Sequence, residues 1–421
     1  MESLYKEYVL GLSYASYIFI TYLNYRQLRK LQYEEQPKIL TKLITSEEFN
    51  RINAYGIDKS KFLFLGDALS QLQNTAVIYF NLLAWLWNLA GRWLTLAGYS
   101  SGSEIAQSVI FFILISSISS ITALPFSLYN TFVIEARHGS RTLTVASFFI
   151  SGIKGYLFGG AVGVPLIATF LYIIQWSGDR FYFYVWMFAG LFQFLMVSLY
   201  PTLIQPLFHE FKPLQDEELK GNIENLARRI GFPLSKIYVV PSEPGGKAHH
   251  GYSYFFGFSP NKHIAIFESA LQETTKEEVC AILCHELGHW KYNHVTKLFI
   301  IHQIHLFGIF YVFSHFINNS NLYRAFGFES KPVLVGFMLF QYIFSPFEGL
   351  ATFLTNALRR KQEFQADEFS KRHGYGEPLR TGLVRLNKQD SSNLILDSWY
   401  STYHYSHPPL VDRLRTLVKT D

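Results

Sequence analysis

Seven apolar runs of roughly 20 residues constrain this chain more than any other feature, because that is the length an α-helix needs to cross the hydrocarbon core of a bilayer. They cover 7–24, 73–95, 105–133, 150–175, 180–207, 295–317 and 332–357. Only 16% of the 421 residues are charged and 49% are hydrophobic, whereas a soluble globule carries roughly 25% charge. The lipid bilayer is therefore the expected surrounding of much of the chain. Polar residues interrupt the runs at Gln73, Gln193, Gln303, Gln341 and Glu348, and such residues are expected to face the interior of a bundle. His302, His305 and Glu348 are ionisable groups inside runs, so they are candidates to line a polar interior that admits water or peptide.

Loop charge sets an orientation. The first run opens with "MESLYKEY", lacks a basic leader and is followed by "NYRQLRK", so it reads as a retained anchor and not a cleaved signal. Arg26, Arg29, Lys30, Lys38, Lys42, Arg51, Lys59 and Lys61 crowd the segment after it, and Arg137 and Arg141 lie two runs later on the same side. Cytosolic loops carry such excess. On that count the N-terminus is lumenal, residues 208–294 and the tail from 358 are cytosolic, and the sequon at Asn318 is lumenal.

Four sections follow: 1–207 as a five-helix membrane region, 208–294 as a cytosolic insert, 295–357 as two further spans, and 358–421 as a cytosolic tail. In the insert, Leu219, Ile223, Leu226 and Ile230 form one helical stripe that ends at Gly231. "KIYVV" and "HIAIF" read as strands flanking the turn-rich "PSEPGGKAHHGYSYFFGFSPNK". The insert is thus a small α+β element. Cys280 and Cys284 are one helical turn apart and suit small core residues better than a disulfide framework. A net charge of +5 with no basic cluster interleaved with aromatics excludes a nucleic-acid groove.

Chemistry is concentrated in "CHELGHW", residues 284–290. His285 and His289 are four apart, which stacks two imidazoles on one helical face, and Glu286 adjoins the first. That is the pattern of a metal pair with a general base. Thr274 and Glu277 are placed to form a capping box that starts this helix. Two histidines leave a catalytic zinc one protein ligand short. "LRRKQEFQADEFSKRHGY", residues 358–375, offers Glu363 and Asp367 on one helical face, so that one can bind metal while the other orients a ligand imidazole. Spacing does not choose between them.

These residues resemble those of the type I CAAX prenyl proteases, membrane-integral zinc enzymes of the endoplasmic reticulum and nuclear envelope. "HELGHW", "RRKQEFQAD" and "YSHPPLVDRLRTL" carry the resemblance, together with seven spans and the motif between the fifth and sixth. It implies a mainly α membrane protein in which about seven transmembrane helices enclose a chamber, with a small cytosolic α+β zinc-metalloprotease domain. It also implies one Zn2+ held by His285, His289 and Glu363, with Glu286 as base, Asp367 as outer partner, His407 at the substrate carbonyl and Arg413 buttressing the site. The expected reaction is removal of the last three residues of a farnesylated CAAX protein at the endoplasmic reticulum or inner nuclear membrane, with a second upstream cut in some members. One departure is that Tyr252 in "GYSYFFG" stands where the family has an asparagine that holds peptide.

The substrate backbone is expected to add as a strand beside "HIAIF", which makes His263, Ile264 and Ala265 peptide-contacting residues. Other functions are weaker. A transporter would use the same spans but has no reason to combine the motif helix, "EFQAD" and "HPP". An intramembrane protease would carry its motif in a strongly apolar span, not after the polar "ETTKEEV". Clearance of misfolded or translocon-clogging proteins is compatible with the same site.

Overall fold

Over the described residues the apolar runs fold as helices, and one of them is broken. Asn81 adopts a left-handed backbone (φ 54°), so the expected run 73–95 divides between two helices. In the computed structural model, residues 2–99, 102–139, 143–199, 211–241, 253–256, 261–389 and 394–418 are described. They fall into two compact units, the first formed by Met1–Tyr25, Lys59–Gly190 and His302–Ala351, the second by Arg26–Asp58, Leu191–Ile301 and Thr352–Asp421.

The N-terminal helices are α1 (Glu2–Tyr33), α2 (Ser46–Tyr79), α3 (Leu82–Leu96), α4 (Glu104–Tyr129), α5 (Val145–Ser177) and α6 (Phe181–Leu199). Next come β1 (Lys212–Pro213), α7 (Glu217–Ile230), β2 (Leu234–Val240), β3 (Ser253–Phe256), β4 (Lys262–Phe267), α8 (Glu268–Glu273) and α9 (Lys276–Lys291). The chain continues through α10 (His294–Phe316), α11 (Ser320–Ala325), α12 (Val333–Ser370), α13 (Gly376–Gln389), α14 (Ser398–His404) and α15 (Leu410–Val418).

Among the described residues, four helical stretches are long and apolar enough to cross a membrane: Glu104–Glu135, Val145–Leu199, His294–Phe316 and Val333–Asn387. The second contains two helices, α5 and α6, joined by a short turn at Gly178–Arg180. The first two expected runs fall short of that test. In α1 apolar residues alternate with Ser, Tyr and Asn, and the other run breaks at Asn81.

The first unit is a helical body whose core includes Trp87, Phe111, Phe313, Tyr323 and Phe340. Two polar contacts lie inside its apolar helices: Trp186 Nε1 donates to the Gln303 carbonyl at 3.0 Å, and His305 Nε2 lies 3.6 Å from Glu348 Oε1. Gly190 lies close to the first of these: a Cβ on it would meet Gln303 Oε1 at 2.7 Å and displace the amide end of that side chain.

The second unit carries the sheet, in the order β1-β2-β4-β3, with β2 and β4 parallel and the outer pairs antiparallel. α7 forms as its sequence predicts, capped by Asp216 and ended by Gly231 at φ 80°. α9 is buried on two sides. Ala281 and Ile282 pack with α13 and α15 residues such as Leu383 and Leu414, while Val279, Leu283 and Leu287 pack with Ile223, Leu226 and Ile264. Leu31, Leu40, Ile44, Phe49 and Ile52 join the first of these cores, so much of the basic stretch after the first run is packed helix instead of loop. The capping box of α9 is shifted by one residue from the expected pair, to Thr275 and Glu278. Thr274 is otherwise engaged, its hydroxyl donating to the Ala270 carbonyl to close α8.

Candidate metal centre

Two helices of the second unit bring the motif and the downstream acids together, and a glycine sets how closely they meet. A Cβ on Gly288 would lie 3.2 Å from both Ala366 Cα and Phe369 Cβ. With glycine here α9 rests against this part of α12 so closely that a side chain would force Ala366 or Phe369 to give by a few tenths of an ångström. Ala366 falls between Glu363 and Asp367, so the close approach presents both acids to the two histidines.

His285 Nε2 and His289 Nε2 face each other at 3.2 Å. Glu363 Oε2 is 3.5 Å from the first and Oε1 is 3.4 Å from the second. These three residues form the one group among the described residues with the composition and spacing to hold a metal ion. A tetrahedral zinc with bonds of about 2.0–2.1 Å separates neighbouring donors by about 3.3–3.4 Å, so the three side chains stand close to the required edges. Glu363 Oε2 is buried without a hydrogen-bond partner, an arrangement that a cation relieves and that is costly otherwise. The donors fit a metal.

Behind this group the charges are paired. His285 Nδ1 lies 2.9 Å from Asp367 Oδ1, a close ionic approach lacking the alignment of a hydrogen bond. Arg413 forks onto Asp367, Nε to Oδ2 at 2.8 Å and Nη2 to Oδ1 at 2.6 Å, and its Nη1 is 3.5 Å from Glu363 Oε2. Burial by itself would lower the basicity of His285, but the Asp367 and Glu363 carboxylates override it and raise the group to about 9. Burial pushes the Glu286 carboxyl upward against the opposing pull of His285 and His289, a direction that suits a base working near neutral pH.

His407 sits between α14 and α15, exposed, with Nε2 3.3 Å from Glu363 Oε1. The segment leading to it is anchored at its start, where Arg26 forks onto Asp397 at 3.0 and 2.9 Å and Gln27 accepts from the Asp397 N–H at 2.7 Å. Cys280 and Cys284 are buried and free, and burial pushes the Cys284 thiol up to about 12. That excludes them as nucleophiles.

The sheet corrects one expectation. His263, Ile264 and Ala265 lie on β4, which is paired with β2 on one side and β3 on the other, and Ile264 and Ala265 are 1% and 0% exposed. No peptide can pair with that backbone. Among the described residues the outer strands of the sheet are β1 and β3, and β3 packs against α9. Tyr252 lies outside the described residues. Sequence reasoning missed His294 and Gln365. His294 is 1% exposed, with Nδ1 2.9 Å from His289 Nδ1 and Nε2 3.1 Å from Gln365 Oε1. The available signal was a third histidine five residues after His289, beyond a helix end that Asn293 turns with a positive φ.

Apolar spanning helices, a His-Glu-x-x-His helix and a glutamate supplied from a second helix define a multi-pass membrane metalloprotease. Comparison with known proteins makes the assignment specific. Residues 25–210 match the family model described as CAAX prenyl protease N-terminal, five membrane helices, and residues 213–421 match peptidase family M48. The chain belongs to family M48, among the CAAX prenyl proteases. It is 40% identical to the CAAX prenyl protease 1 homolog of Oryza sativa, over 99% of this chain and 98% of that protein. Its identity to the human CAAX prenyl protease 1 homolog is 36%, over 97% and 94%. The crystal structure of S. mikatae Ste24p superposes with a TM-score of 0.90 at 34% identity, covering 99% of each chain.

Proposed function

We propose that this protein is a zinc endopeptidase that removes the last three residues of prenylated CAAX proteins. The observation that carries the reading is the convergence of His285, His289 and Glu363 within hydrogen-bond range, with Glu286 beside them. The names of the full-length relatives support the substrate class. His285, His289 and Glu363 would hold the zinc, which when bound would acidify a water and polarise the scissile carbonyl.

Each remaining step belongs to the chain's own side chains. Glu286 takes the proton of the attacking water on its carboxylate and delivers it to the leaving amide nitrogen. His407, exposed beside Glu363, donates a hydrogen bond to the carbonyl oxygen as negative charge develops there. Asp367 orients His285 and is itself held by the Arg413 fork. The substrate backbone adds as a strand along β3, an outer strand of the sheet that packs against α9, in place of β4.

A prenyl group carries its cysteine to the bilayer, and a multi-pass enzyme meets such a substrate there. Loop charge supports a catalytic unit facing the cytosol or nucleoplasm, in the endoplasmic reticulum or inner nuclear membrane. The test uses full-length protein in detergent and a farnesylated CAAX peptide with its unprenylated twin. Expected are cleavage after the cysteine, preference for the farnesylated form, loss with chelator, recovery with zinc, and loss of turnover in Glu286→Gln with zinc still bound. Full activity in Glu286→Gln removes that residue as the base, and a wild-type chain that binds no zinc sinks the proposal.

A further inference from the structure

The two histidines of the metal group have unlike supports. His285 is backed by an anion, Asp367. His289 is backed by a second imidazole, the buried His294, which is in turn backed by the exposed Gln365. The mechanism above uses neither His294 nor Gln365.

Proton placement along this row is determined from one end. An imidazole that coordinates through Nε2 has its lone pair there and therefore carries its hydrogen on Nδ1. That hydrogen points to His294 Nδ1 at 2.9 Å, so His294 Nδ1 must accept. The hydrogen of a neutral His294 then sits on Nε2, where Gln365 Oε1 lies 3.1 Å away with lone pairs to receive it. Every donor meets an acceptor in this arrangement. With the opposite tautomer of His294, two N–H groups would face each other across 2.9 Å, and His289 could relieve the clash only by moving its proton to the nitrogen that faces the metal.

We infer that His294, held by Gln365, is the positioning residue that keeps the Nε2 lone pair of His289 directed into the metal group. This rests on the zinc reading above. The local fold supports it, since the left-handed turn at Asn293 ends α9 and starts α10 with His294 folded back onto the motif. A neutral partner also has a consequence for charge. The group already contains Glu363, Asp367 and Glu286 against a single Arg413, and an imidazole orients His289 without adding a further buried anion.

The test measures zinc affinity by chelator competition, and the absorption of the cobalt-substituted form, in full-length detergent-solubilised protein. His294→Phe keeps a ring of similar size but removes the acceptor, and is expected to weaken zinc binding by roughly 10–100-fold, the usual effect of losing an outer partner of a ligand. His294→Asn places an amide oxygen near the former Nδ1 and is expected to recover affinity to within a fewfold of wild type, with a cobalt spectrum like wild type. Because Gln365 is exposed, its variants report even if changes at His294 disturb folding. Gln365→Glu keeps the acceptor and should retain affinity, while Gln365→Lys presents a donor to a donor and should lose severalfold. Wild-type affinity in both His294→Phe and Gln365→Lys overturns the inference, as does His294→Asn binding as weakly as His294→Phe. A wild-type chain without zinc affinity instead overturns the metal reading itself.

Discussion

Arg413→Met should make the fold depend on its metal. The residue is 9% exposed and makes two bonds of 2.8 and 2.6 Å to Asp367, which is itself 1% exposed, while its third nitrogen stands 3.5 Å from Glu363. Methionine fills the space of the aliphatic stem but removes the guanidinium that faces both carboxylates. Breaking a buried pair in this way costs about 3–5 kcal/mol, since the partner's charge stays behind uncompensated. For a unit of this size that is on the order of 10 °C in melting temperature. Zinc next to Glu363 supplies positive charge at nearly the same place, so the metal-loaded variant should lose less than the metal-free one. By linkage the difference between the two losses is a gain in zinc affinity, about tenfold for each 1.4 kcal/mol recovered. Thermal melts with zinc and with chelator, alongside a competition titration, measure both sides of that equality. Equal losses with and without zinc would refute the reasoning, because they would mean that Arg413 acts through packing and not through charge.

Gly288→Ala should lower stability by about 1–3 kcal/mol through overpacking and weaken zinc binding, since the new methyl pushes against Ala366 and Phe369; an unchanged melt in the metal-free protein contradicts it. Zinc affinity should rise with pH, because His285 is raised to about 9 in the metal-free chain and must shed a proton to bind. This group alone contributes about tenfold per pH unit below 9 and levels off above it, and by the same sign the metal-free fold loses this stabilisation as the pH passes through 9; isothermal titrations from pH 6 to 10 check the slope. His407→Ala should cut kcat by about 100- to 1,000-fold with little change in KM, and because His407 is exposed the melt should stay put; a rise in KM at constant kcat would place it in ground-state binding instead.

What was legible in the sequence follows from the range of each interaction. His285 and His289 are four residues apart on one helix, so local geometry alone puts them on one face. Glu363 and Asp367 have the same spacing, but the choice between them depends on which turn of α12 rests on α9, and that is set by Gly288 against Ala366, 78 positions apart. His294 was hidden by the positive φ of Asn293, which returns a residue beyond the helix end to the motif. The five runs from 105 onward were legible because hydropathy is a sum over about 20 residues; of the two that fall short, 73–95 divides at a single left-handed residue that no sum detects.

The strand error has the same origin and shows why the edge matters. "HIAIF" is the most strand-like segment near the motif, with Ile264, Ala265 and Ile266 at most 1% exposed. That very quality places it between two partners, since a strand apolar throughout is favoured where both its faces are covered. β3 is only Ser253–Phe256 and lies within a turn-rich stretch, so it carries little periodicity to detect. It stands at one end of the strand order with half-buried residues, and an outer strand is what an extended peptide requires. On the proposed function, the strand that would receive the substrate backbone is therefore one whose sequence announces a strand weakly.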